Sequence, residues 1–277
     1  MSDFWIVVIT TVAGVATGVL SGMFGVGGAT ISTPAIRAIG AAPLAAVAST
    51  LPPILPSALS GTIRYHREGL IDVRVAIWTG AAGMFAAVGG ALLTDVIPGD
   101  GHPLMLLTAA LVGFSAYRLS RSPKIEEPRP AVLVEGETDA GPGALVEPRG
   151  GTRSESWRLG TIGLVAGLMS GLLGIGGGLV MVPAFSGWVR LPIKAALATS
   201  LACVGLLAIP ATITHAALGN IDWLYALPLS VGVIPGAQLG AHLTIQSSDR
   251  LLRVMVGVVL GLIAAGYAIG EVLALVD

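Results

Sequence analysis

The chain has 277 residues, 54% of them apolar and 11% charged, and a mean hydropathy of +0.85, whereas a soluble domain carries about 25% charged residues. A formal net charge of -1 offers no basic excess to hold nucleic acid. The single cysteine excludes an internal disulfide, and the four scattered histidines lack metal-ligand spacing.

What remains is a polytopic membrane protein with room for roughly six to ten spans of about 20 apolar residues each. The first uncharged run, Phe4 to Ile36, is too long for one crossing and is interrupted by Gly22-Met-Phe-Gly25-Val-Gly27-Gly28, with Pro34 beyond. No Lys or Arg precedes it and no small-residue cleavage site follows, so it is not read as a removable leader. Ala41–Ile63, carrying Ser49 and Thr50, then Val73–Thr94 and Leu104–Tyr117 complete a first unit over residues 1–117. Residues 118–158 hold five prolines, several glycines and mixed charges without an apolar period, which predicts a flexible soluble linker. Leu159–Val189, Ile193–Gly219, Trp223–Ile245 and Val254–Ala274 form a second unit over residues 159–277.

The two units carry the same text. Gly22-x-x-Gly25-x-Gly27-Gly28 with Pro34 returns as Gly171-x-x-Gly174-x-Gly176-Gly177 with Pro183, and Pro43 as Pro192. After one inserted residue, Ala48-Ser49-Thr50-Leu51 matches Ala198-Thr199-Ser200-Leu201, Thr62-Ile63 matches Thr212-Ile213, and Gly69, Ile71 and Asp72 match Gly219, Ile221 and Asp222. Agreement in order with one gap marks a duplicated unit.

Positive charge tests how the copies face. If the first block crosses once, the copies are parallel, and Arg37, Arg190, Lys194, Arg250 and Arg253 fall outside. If it enters and turns at the glycines, as a re-entrant hairpin or as broken helices, the copies are inverted and only Arg37 stays outside. Lys and Arg accumulate on the cytoplasmic side, so the reading is two inverted repeats with a cytoplasmic linker. Inverted repeats whose helices break near mid-membrane are a recurring design of secondary transporters, with the substrate held where the breaks meet. Glycine lets the chain leave and re-enter a helix, and the new N-terminus carries roughly half a positive charge, which attracts an anion. The alternative is that these glycines serve close helix packing alone. A phosphate-binding P-loop is excluded, because no Lys-Ser/Thr follows the glycines.

With its paired glycine motifs and the Ala198-Thr199-Ser200-Leu201 run, the sequence resembles the sulfite exporter TauE/SafE family of bacterial transporters over nearly everything outside the linker. The resemblance implies export of a sulfur oxyanion such as sulfite or an organosulfonate across the bacterial inner membrane. The residues themselves argue for a small anion. Ala29 stands where the second copy has Gly178, and Ser49-Thr50 reverses Thr199-Ser200, so the halves of the site need not be equivalent.

The expected substrate site comprises Gly25, Gly27, Gly28, Ser49 and Thr50 from the first repeat and Gly174, Gly176, Gly177, Gly178, Thr199 and Ser200 from the second. For the hydroxyls, the competing reading is a bond back to their own helix. Thr30, Ser32 and Thr33 are weaker candidates. No Asp or Glu lies well inside a span, so an anion would be held by neutral donors. His215 is a candidate proton relay, with a structural polar role as its alternative. Arg64-Tyr65-His66-Arg67 reads as a helix-end anchor that could also gather anions, and Gln238 as either a cavity or a helix-packing residue. No metal or cofactor is called for, and the absence of HExxH, paired carboxylates or a Ser/His/Asp set argues against an enzyme. The expected function is alternating-access export of a small anion from a protein in contact with lipid. An anion channel or a non-transporting subunit is the alternative, and the sequence leaves a homodimer open.

Overall fold

The computed structural model describes residues 3–94, 102–121 and 153–276. Among these the chain is entirely helical: α1 (Asp3–Phe24), α2 (Ala29–Ala38), α3 (Pro43–Ser49), α4 (Leu51–Arg67), α5 (Val73–Thr94), α6 (His102–Arg121), α7 (Arg153–Leu173), α8 (Gly178–Gly187), α9 (Ile193–Ala217), α10 (Trp223–Gln246) and α11 (Asp249–Val276). Among the described residues, six stretches are long and apolar enough to cross a membrane: Phe4–Phe24, Pro43–Arg67, Val73–Thr94, Ser156–Leu173, Ile193–Ala217 and Trp223–Gln246. The long first block of each unit is two helices, α1 with α2 and α7 with α8. α2 and α8 have 10 residues each, about 15 Å and so half of a bilayer's hydrocarbon thickness. α6 runs on to Arg121 and α7 starts at Arg153, both inside the stretch expected as linker, while most of that linker lies outside the described residues.

α3 and α4 are one span interrupted at Thr50. Pro52 and Pro53, in the first turn of α4, have no N–H to continue the hydrogen-bond ladder from α3. Its counterpart α9 has no proline there and is continuous through 25 residues.

Small residues set both the packing and the helix directions. Gly14, Gly18 and Gly22 of α1 lie against Leu229, Val233 and Ala237 of α10 in ascending order, and Gly163, Gly167 and Gly171 of α7 lie against Thr79, Gly83 and Ala87 of α5 in the same way. Each pair is therefore parallel, with a glycine every fourth residue letting the backbones touch. Ser60 and Arg64 of α4 bond to Ile234 and His242 of α10, so these two are parallel as well. Gly80 and Gly83 of α5 meet Leu206 and Leu207 of α9. Between α4 and α9 the order reverses, Gly61 meeting Leu201 and Gly205 meeting Ala58. Thus α1, α4 and α10 run one way and α5, α7 and α9 the other. α6 and α11 flank the bundle, and their Leu104, Val112, Leu252 and Val256 share one apolar cluster with the glycine-break residues Phe24, Val26 and Ile175.

Candidate functional site

The repeated glycine motif divides into two jobs. Gly22 and Gly171 sit within α1 and α7 and pack: a Cβ on either would lie 2.3 Å from Ala237 O or 2.0 Å from Ala87 O. The following glycines break the helix. Gly25 and Gly27 have φ of 63° and 69°, and Gly174, Gly176 and Gly177 have φ of 68°, 77° and 74°, values a side chain opposes. Helix resumes after Gly28 and Gly177, whose carbonyls accept the first ladder bonds from Ile31 and Ser32 and from Val180 and Met181. The N–H groups of Ala29 and Thr30, and of Gly178 and Leu179, precede that ladder and face out of the helix starts.

The two breaks meet. A Cβ on Gly27 would lie 3.7 Å from Gly176 Cα, and one on Gly176 3.8 Å from Gly27 Cα. The expected glycines of both repeats are therefore brought to one place, and all are buried. Over them sit Ile54 and Val204, equivalent residues of α4 and α9: Val204 Cγ1 would be 2.5 Å and 2.8 Å from a Cβ on Gly27 and Gly176, and Ile54 Cδ1 3.3 Å from one on Gly176. The centre is closed by apolar side chains. A cavity beside the first break, lined by Ser21, Gly28 and Thr30, has only about 10 Å³, the room of one water.

All four expected hydroxyls are buried, and each has a partner. Ser49 Oγ accepts the N–H of Asp222 at 2.8 Å, and Thr199 Oγ1 accepts that of Asp72 at 3.0 Å. These are equivalent bonds, each joining one repeat to the loop that opens a helix of the other, where Asp222 and Asp72 also cap the N–H groups of Leu224 and Val75. The other two diverge: Thr50 Oγ1 donates to Val47 O and approaches Thr33 Oγ1, whereas Ser200 Oγ donates across the repeats to Gly25 O. Of the weaker candidates, Ser32 bonds back to Gly28 O.

His215 is fully buried. Its Nε2 lies 3.1 Å from Gly171 O, to which it can donate, with Asn220 Nδ2 near Nδ1. Its equivalent in the first repeat is Tyr65, whose hydroxyl donates to Gly22 O at 2.5 Å. A tyrosine and a histidine thus tie the same glycine carbonyl in each half. Two hydroxyls on the helices that precede the breaks were not singled out by sequence reasoning: Thr17 Oγ1, on a side chain that a Cβ on Gly28 would strike, and Oγ of Ser170, the residue whose backbone carbonyl accepts Gly174 N–H. Both are buried without a hydrogen-bond partner among the described residues. No group of three potential metal ligands occurs among those residues.

A family model described as sulfite exporter TauE/SafE matches residues 10–267. The chain is 27% identical over 270 residues to a probable membrane transporter protein of Bacillus subtilis, YunE, covering 92% of this chain and 95% of that one. It is 26% identical to a probable membrane transporter protein of Xylella fastidiosa, covering 91% of each. A second Bacillus subtilis protein of that description, YdhB, is 28% identical over 82% of this chain and 86% of its own length. No solved structure matches.

Proposed function

This chain belongs to the sulfite exporter TauE/SafE family, and from that premise we propose that it is a secondary transporter exporting a small sulfur-containing oxyanion by alternating access. The observation that carries the reading is the meeting of the two glycine breaks. The meeting of Gly27 with Gly176 brings the starts of α2 and α8, of roughly half a positive charge each, toward one buried region, and the preceding helices carry the buried hydroxyls of Thr17 and Ser170, without a hydrogen-bond partner among the described residues. Such neutral donors suit a desolvated oxyanion. The closed centre corresponds to an occluded state, in which Ile54 and Val204 must withdraw from Gly27 and Gly176 before an anion fits.

The opposed directions of α1, α4 and α5 and of their counterparts α7, α9 and α10 support two repeats inserted oppositely in the inner membrane. Arg37 then lies at one end of the bundle, and Arg64, Arg67, Arg74, Arg190, Lys194 and Arg250 at the other, the cytoplasmic one, with the central linker.

The test is counterflow in proteoliposomes holding the purified protein alone. Labelled sulfite or taurine enters faster when the same anion fills the interior, which separates a carrier from a channel, and flux from one polypeptide separates it from a subunit of an assembly. Absence of flux for every sulfur oxyanion tried overturns the proposal. Gly27→Ala with Gly176→Ala, at positions of positive φ, abolishes flux while protein still reaches the membrane.

A further inference from the structure

Away from the glycine breaks, the C-terminal halves of α4 and α10 enclose a groove of about 450 Å³ lined by Ser60, Arg64, Arg67, Gln238 and His242, with Ile63 and Leu239 on its walls. We propose that this groove binds the phosphate headgroup of an anionic phospholipid, held by Arg64 and Arg67.

Position is the first ground. Arg64 and Arg67 stand in the last turn of α4, and His242 lies one turn from the end of the parallel helix α10, where Lys194 Nζ also reaches Ile245 O. Side chains at the ends of membrane-spanning helices sit at headgroup depth.

The second ground is what borders the groove. Leu59 is 64% exposed and Leu239 54%, and Ile63 and Leu243 continue the same apolar flank. Surface of this kind on a membrane-spanning bundle meets acyl chains, so the mouth opens sideways to lipid. A phospholipid supplies both the charge for the arginines and the chains for the flank, whereas a free anion supplies only the first.

The third ground is asymmetry. In the other repeat the positions of Arg64, Arg67, Gln238 and His242 are held by Thr214, Ala217, Val88 and Leu92. The duplicated architecture forms there without charge, so the basic groups in this groove are not a requirement of packing. Nor are they saturated. Arg64 Nη2 lies 3.1 Å from His242 Nδ1 and 3.7 Å from Glu68 Oε1, while its buried Nε has no partner among the described residues. Glu68 offsets one charge, and Arg67, exposed, makes no ion pair among those residues.

The inference depends on the membrane setting and not on which solute is carried. Native mass spectrometry of the delipidated full-length protein, titrated with phosphatidylglycerol or phosphatidylcholine, tests it. The expected result is at least tenfold preference for phosphatidylglycerol, lost in Arg64→Gln/Arg67→Gln and retained in Arg190→Gln/Arg250→Gln at the same face. Arg67→Gln alone, at an exposed position, keeps the test open should the double variant fail to fold, and weakens binding severalfold. Equal binding by variant and parent overturns the inference. So does displacement of phosphatidylglycerol by millimolar phosphate or sulfite, which would assign the groove to a soluble anion.

Discussion

Ser49→Ala and Thr199→Val each remove one acceptor from a pair of equivalent bonds between the repeats, and their consequences can be worked out from position. Ser49 is the last residue of α3 and reaches Asp222, just before α10; Thr199 is in the second turn of α9 and reaches Asp72, just before α5. Since α4 and α9 run in opposite directions, the two bonds lie toward opposite ends of the bundle. Valine keeps the shape of threonine, so each change deletes a hydroxyl and leaves a partly buried N–H unpaired, costing about 1–2 kcal/mol, the lower part of the range for an orphaned donor. That is a fall in Tm of about 2–8 °C for a chain of this size, and the two losses add, because the sites share no partner. Under the proposed alternating-access cycle, with each bond closing one end of the bundle, each variant shifts the inward–outward equilibrium about 5- to 30-fold, in opposite directions. Thermal unfolding in detergent, together with solvent labelling of single cysteines introduced at either end, measures both effects. An unchanged Tm with a raised KM for the anion in both variants would refute the reasoning, because the hydroxyls would then serve substrate and not the backbone.

Gly171→Ala and Gly240→Ala each place a Cβ 2.0 Å from a facing carbonyl, of Ala87 and Val19, and force paired helices apart by more than 1 Å. Each lowers stability by about 3 kcal/mol, whereas Gly89→Ala, with nothing within 4 Å, is neutral or gains up to ~1 kcal/mol from helix propensity; thermal unfolding ranks the three. Tyr65→Phe orphans Gly22 O and costs about 1–3 kcal/mol, read in the same assay. In a Cys203→Ala background, Arg37→Cys and Arg190→Cys react with impermeant maleimide from opposite sides of the membrane; labelling from one side would remove the support for oppositely inserted repeats.

The breaks at Gly25–Gly28 and Gly174–Gly177 were legible because positive φ is a local demand that glycine answers, and the motif was written twice. The spans were legible because lipid obliges each backbone segment to satisfy its own hydrogen bonds. The repeated Gly-x-Ile-Asp at residues 69–72 and 219–222 was also visible, but its partners were not. Asp222 takes Ser49 from 173 positions away, and Asp72 takes Thr199 from 127.

Chain order and residue type were enough for the helical class, the duplication, the interruption of the first helix in each half and the family. Tertiary structure decided which glycine packs and which bends, that Ile54 and Val204 close the centre, that Tyr65 and His215 do one job, and that five polar residues of α4 and α10 share a groove. The reason is physical: a backbone preference is settled within a few residues, whereas the partner of a hydroxyl, an imidazole or a guanidinium is whatever the packing of distant helices sets opposite it.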